Sequence, residues 1–255
     1  MLPRPYPRVH IWMILVLAIA LNLIAPASAR ADAANPHDCG SHVLNGGLPL
    51  PERGQGYELE FILGPDCTLS SSPIRPIAAE KAAQDAGVDG HMSRSRFARI
   101  GSKRHLDPDY HLNAIAWDCC GVQMTRLVTD LNWTTNGSTI TGWNAGGYQA
   151  YHGEYSCIPQ PHHGWWPDYG SLYQSGGGTG YSSISVTSYQ AWGYQGAFDA
   201  CNGNVYYNYF QNNLTGYASG SPSCSFYYSL RNTAPGWHIV AQCYDPVITI
   251  VDDPY

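Results

Sequence analysis

The chain has 255 residues, enough for one large or two small domains. Charged residues make up only 13%, while Gly 27, Tyr 19 and Trp 8 are high, which excludes a disordered chain and does not suit a coiled coil or helix bundle. A formal charge of -6 argues against a nucleic-acid partner, because phosphate binding rests on basic side chains.

The N-terminus carries Arg4 and Arg8, then an apolar run from Ile11 to Ala25, then Pro26 and the small residues Ala27-Ser28-Ala29. This is the pattern of a secretory signal peptide over residues 1–29, with cleavage after Ala29. The run is shorter than the about 20 residues a bilayer-spanning helix needs. No later run approaches its length, so the mature chain is expected to be exported, without a membrane span. All eight cysteines fall after the leader, at 39, 67, 119, 120, 157, 201, 224 and 243. An even count outside the cytoplasm reads as a disulfide framework. Cys39 and Cys67 are the local pair. Cys119 and Cys120, if they lie in an extended strand, point to opposite faces and should reach two different partners.

Residues 30–111 read as an irregular N-terminal segment. It contains one strand-like run, Tyr57 to Leu63, and one helix, Ile77 to Ala86, ended by Gly87. Arg94, Arg96, Arg99, Lys103 and Arg104 follow closely, and after them only Arg126 and Arg231 are basic. This is either a solvated basic linker or the end of a pro-segment processed at Lys103-Arg104.

Residues 112–255 read as β throughout. Asn136-Gly137 lies between two runs rich in Thr, Trp and Ile, the signal for a two-residue hairpin loop. With that loop Trp133 opposes Ile140. Trp133, Leu131 and Ile140 then line a buried face, and Thr134, Thr139, Asn132 and Thr141 a polar one. Residues 157–180 read as a long irregular passage. Strands are expected from Ser182 to Trp192, Asn204 to Asn212, Ser223 to Arg231, Trp237 to Tyr244 and Val247 to Val251. The fold class is therefore mainly β: an antiparallel sandwich or jelly-roll-like domain, disulfide-stapled, preceded by a small segment with one short helix.

The most function-like stretch is Pro161 to Gly170. His162, His163, Trp165, Trp166, Asp168 and Tyr169 have the composition of a sugar platform, aromatic faces for a pyranose and polar groups for its hydroxyls. The leading expectation is an extracellular binding module for carbohydrate or another surface polymer. A polysaccharide hydrolase with Glu154 and Asp168 as its carboxylate pair is the second. A structural surface protein without a small ligand is the third. Asp107, Asp109 and His111 share one side of an extended segment and are weak metal candidates, but no spacing matches a known zinc or calcium loop. Neither the His-Glu-x-x-His nor the Gly-x-Ser-x-Gly motif occurs, and no cofactor is implied. Asn132, Asn136 and Asn213 open glycosylation triplets. The sequence carries no signal for an oligomeric state.

Removal of residues 1–29 alone should leave a mature chain that begins between Arg30 and Asn35. N-terminal sequencing of the exported protein checks this, and a start beyond Arg104 would establish the pro-segment instead.

Overall fold

The computed structural model describes residues 39–85, 92–101, 108–153, 164–195 and 206–246. The expected signal peptide, the processing site at Lys103-Arg104 and the strand Val247 to Val251 lie outside these residues. All the described residues belong to one unit, His37–Tyr255.

The chain forms two antiparallel sheets that share one core. In order, the strands are β1 (His42–Leu48), β2 (Gln55–Leu63), β3 (Leu69–Ser71), β4 (Arg75–Ala78), β5 (Met92–Arg96), β6 (Ile100–Gly101) and β7 (Asp109–Trp117). Then come β8 (Gln123–Thr135), β9 (Ile140–His152), β10 (Gly164–Gly177), β11 (Ser183–Gln195), β12 (Tyr206–Tyr217), β13 (Pro222–Arg231) and β14 (His238–Tyr244). One sheet has the order β1-β13-β12-β11-β10. The other runs β3-β2-β14-β7-β8-β9-β5, with β4 also on β2 and β6 also on β9. The expected sandwich class holds. The segment expected to precede the sandwich is woven into it, because β1 pairs with β13 and β2 with β14. Cutting at Arg104 would remove β1 from one sheet and β2 to β6 from the other.

Period-two alternation explains the sheets. In β12, Tyr206, Asn208, Phe210, Asn212 and Leu214 turn inward, and in β13 Cys224, Phe226, Tyr228 and Leu230 do. Trp237, Ile239, Ala241 and Cys243 meet them from the facing side. Two disulfides brace the described residues. Cys39–Cys67 forms as expected, and Cys224–Cys243 joins β13 to β14 across the sandwich. Closing the Cys39–Cys67 loop of sequence separation 28 stabilises the fold by about 3–4 kcal/mol in the chain-entropy account.

Four local expectations change. The hairpin loop spans residues 136–139 rather than two, because the Asn136 side chain builds the turn itself. Its Oδ1 accepts from the backbone N–H of Ser138 (3.0 Å) and of Thr139 (2.8 Å), so only Gly137 needs a positive φ, of 90°. Trp133 consequently opposes Trp143, and a bulge at Thr134/Thr135 keeps Ile140 on the core side. The second face of β8 is also covered, since Arg126, Asp130 and Asn132 are buried. The helix, α1 (Ala79–Asp85 among the described residues), starts later than expected, because the chain around Pro76 is held extended against β2. The irregular passage contains β10, an edge strand whose Pro167 sits at a register shift, where a missing N–H is tolerated.

The fourth change concerns Cys119 and Cys120. They lie in the turn between β7 and β8, both exposed and unbonded, with their sulfurs 3.4 Å apart. Asp118 causes this. Its Oδ1 accepts from the N–H of Cys120 (2.8 Å) and of Val122 (2.7 Å), curling the chain so that the two side chains no longer oppose each other.

Trp133 is fully buried, stacks on Tyr110 at 5.6 Å and donates from Nε1 to the Tyr217 carbonyl at 3.0 Å. Trp133→Ala should cost about 3–5 kcal/mol, read as a lower denaturant midpoint.

Candidate functional site

The inward alternation of β12 and β13 leaves their other residues on the solvent face of the five-stranded sheet. There Tyr207 and Tyr209 of β12 and Tyr227 of β13 join Tyr189 of β11 and Tyr169 and Tyr173 of β10. Tyr189 and Tyr209 stack at the centre, with ring centroids 6.1 Å apart. Tyr169 lies 6.1 Å from Tyr189 and 6.4 Å from Tyr209, Tyr173 lies 6.3 Å from Tyr189, and Tyr227 lies 6.3 Å from Tyr209. The rim rings are the accessible ones: Tyr169 is 51% exposed, Tyr173 45% and Tyr227 39%.

Cross-strand register explains the clustering. Tyr189 opposes Gln211, which opposes Tyr227, and Tyr173 opposes Thr187, which opposes Asn213. Aromatic and amide positions thus alternate across the strands. The polar groups are oriented by one another. Tyr209 donates to Gln211 Oε1 (3.1 Å), Gln211 donates to Asn213 Oδ1 (3.2 Å), and Thr187 donates to the same oxygen (2.9 Å).

At one end Trp166 lies flat over the sheet. A Cβ at Gly193 would stand 2.5 Å from its ring, so the indole covers a position that only glycine leaves open. Beside it Tyr207 donates to Asp168 Oδ2 (3.3 Å), and the Arg231 guanidinium sits 5.8 Å from the Tyr207 ring centroid. Asp168 and Arg231 are the charged groups on this face among the described residues. Burial, the Tyr169 hydroxyl and the Asp168 charge push the Tyr207 phenol well above its ordinary value. Burial and the neighbouring phenols do the same for Tyr209. Both hydroxyls are therefore neutral donors at physiological pH.

The residues singled out from sequence divide. Trp166, Asp168 and Tyr169 belong to this face. Trp165, 2% exposed, turns the other way into the core, packed on Tyr194 at 5.0 Å and Trp237 at 5.9 Å. His162, His163 and Glu154 lie outside the described residues, and with Glu154 the carboxylate pair. Tyr173, Tyr189, Tyr207, Tyr209 and Tyr227 were missed as a site. The signal was present as tyrosine alternating with Ser, Asn and Gln at the outward positions of successive strands.

Asp109 and His111 lie on the outer face of the other sheet, and Asp107 is outside the described residues. His111 Nε2 is 3.2 Å from Asp109 Oδ2, and its ring packs on Tyr244 at 5.2 Å. Among the described residues no three His, Cys, Asp or Glu side chains converge as for a metal ion. What this face holds is a buried polar network. Asn113 donates to Gln242 Oε1 (3.0 Å) and to the α1 carbonyl of Ala82 (3.2 Å), and Gln242 donates to Glu58 Oε2 (2.7 Å). No helix among the described residues is long and apolar enough to cross a membrane.

No protein family, no curated protein and no solved structure matches this chain.

Loss of solvent pulls the His111 value down, but the carboxylates of Asp109, Asp130 and Asp245 outweigh it and hold the imidazole above its ordinary 6.5. Burial, opposed by the His111 charge, raises the Asp130 carboxyl. A raised folded value stabilises the fold below the unfolded value, and the gain is lost as pH rises through the folded one. The denaturant midpoint should therefore fall as pH is raised from about 6.5 upward, and His111→Asn should flatten that slope.

Proposed function

We propose that this chain is an exported binding module for an uncharged glycan or similar surface polymer, held on the tyrosine face of the five-stranded sheet. The observation that carries the reading is the contiguous group of tyrosines, 6.1–6.4 Å apart in successive contacts, on a face with so little charge. Exposed apolar surface of this kind costs free energy unless a partner covers it, and contiguous patches mark interaction sites. A tyrosine ring covers the C–H face of a pyranose while its hydroxyl bonds the sugar oxygens. The linked amides of Gln211 and Asn213 and the hydroxyl of Thr187 supply further polar groups. Rigid aromatics among adaptable polar side chains give contact area at low entropic cost. The near-neutral face suits a neutral ligand better than a polyanion. Two disulfides fit a non-cytoplasmic setting, and the leader pattern supports export.

A glycan array followed by pull-down on insoluble cellulose and chitin tests the reading. Tyr169→Ala combined with Tyr173→Ala removes two rim rings that project into solvent, so the melting transition should stay in place. Affinity should drop by at least about 30-fold, the cost of losing a pair of interface anchors at about 2 kcal/mol. Unchanged binding in the double variant, or no glycan bound by the wild type, would overturn the assignment.

A further inference from the structure

The turn between β7 and β8 holds chemistry that the tyrosine face does not use. Cys119 and Cys120 are exposed thiols with sulfurs in contact at 3.4 Å, whereas Cys39, Cys67, Cys224 and Cys243 are paired. The turn is built rather than loose. Besides the two bonds to Asp118 Oδ1, the Asp118 N–H donates to the Val122 carbonyl (2.9 Å) and the Gly121 N–H to the Asp118 carbonyl (3.2 Å). Cys119 stands at the rim of a cavity of about 430 Å³, with Cys120 next to it in the chain. Ile115, Trp117 and Val240 line it with Glu60, Arg75 and His238, and Asp118, Cys119 and Gly121 belong to its wall. The His238 ring is held by Glu60, Nδ1 to Oε1 at 3.0 Å.

We propose that Cys119 and Cys120 form a redox-responsive modification site that exchanges with low-molecular-weight disulfides and closes into a disulfide between neighbouring residues at the cavity rim. The thiolate of one cysteine attacks the small disulfide, forming a mixed disulfide and releasing one small thiol. The second cysteine then attacks the protein sulfur and releases the other small thiol. Two protein S–H bonds and one small S–S bond are lost. One protein S–S bond and two small S–H bonds are gained, and the protein gives up two electrons to the small disulfide. The second step is fast because the attacking sulfur is already in contact. The ring is reversible for a geometric reason. Disulfides favour Cα separations above about 4.4 Å, and consecutive α-carbons across a trans peptide are about 3.8 Å apart, so the closed form is strained and easily reduced.

The test equilibrates the purified protein in glutathione buffers from fully reduced to fully oxidised, alkylates free thiols and maps peptides by mass. The peptide holding Cys119 and Cys120 should pass from doubly alkylated to unalkylated and two hydrogens lighter. It should reopen at a poise that leaves Cys39–Cys67 closed. Cys120→Ser should stop the reaction at a stable glutathione adduct on Cys119. A pair that stays alkylatable in the most oxidising buffer would overturn the proposal. So would a lasting adduct or a covalent dimer in the wild type, or a Cys120→Ser protein that takes up no glutathione.

Discussion

The structure depends on a seam of polar contacts through the middle of its apolar core. Asn212 of the five-stranded sheet donates across the sandwich to the Leu112 carbonyl (2.8 Å) and Thr129 Oγ1 (3.2 Å), and Asn208 donates to Thr125 Oγ1 (3.0 Å). Trp192 Nε1 donates to Gln149 Oε1 (3.0 Å), and the hydroxyls of Thr129 and Ser188 bond each other. Hydrophobic burial is non-directional, whereas a buried donor moved off its acceptor costs about 1–3 kcal/mol. The seam therefore favours one relative position of the sheets.

That position governs both outer faces. In β12 each inward asparagine leaves outward neighbours on the other side of the strand, so fixing Asn208 and Asn212 also fixes Tyr207, Tyr209, Gln211 and Asn213. The tyrosine face is thus set from below by residues no ligand would touch. The two outer faces are finished differently. One is left open and aromatic. On the other, α1 packs Ala79 and Ala82 against Tyr244, and a polar network is closed beneath it.

What the sequence revealed followed from period two. Cys224-Phe226-Tyr228-Leu230 and Trp237-Ile239-Ala241-Cys243 declare their buried faces because every second residue is apolar. The same rule hid the tyrosine cluster, since outward tyrosines read as ordinary strand residues until register sets them side by side. The long passage before Gly180 concealed β10 because its Pro and Gly are tolerated only at an edge, and edges are a property of the assembled sheet. Trp165 and Trp166 look equivalent in a row of letters, yet adjacency in a strand sends one inward and the other outward. The Cys119–Cys120 expectation failed on the assumption of extended backbone, which Asp118 overrides with two side-chain bonds.

The pairing of first strands with last ones carries a consequence for how the molecule comes to exist. His42 opposes Leu230, and Gly56 opposes Tyr244. Neither sheet can acquire its full width until residues 222–244 have been synthesised, however early β1 and β2 emerge. Contacts of such long range place the chain among slow folders, because loop closure is charged before pairing rewards it. Until then β1 lacks its finished sheet pairing, and β2 has only the short strands β3 and β4 beside it.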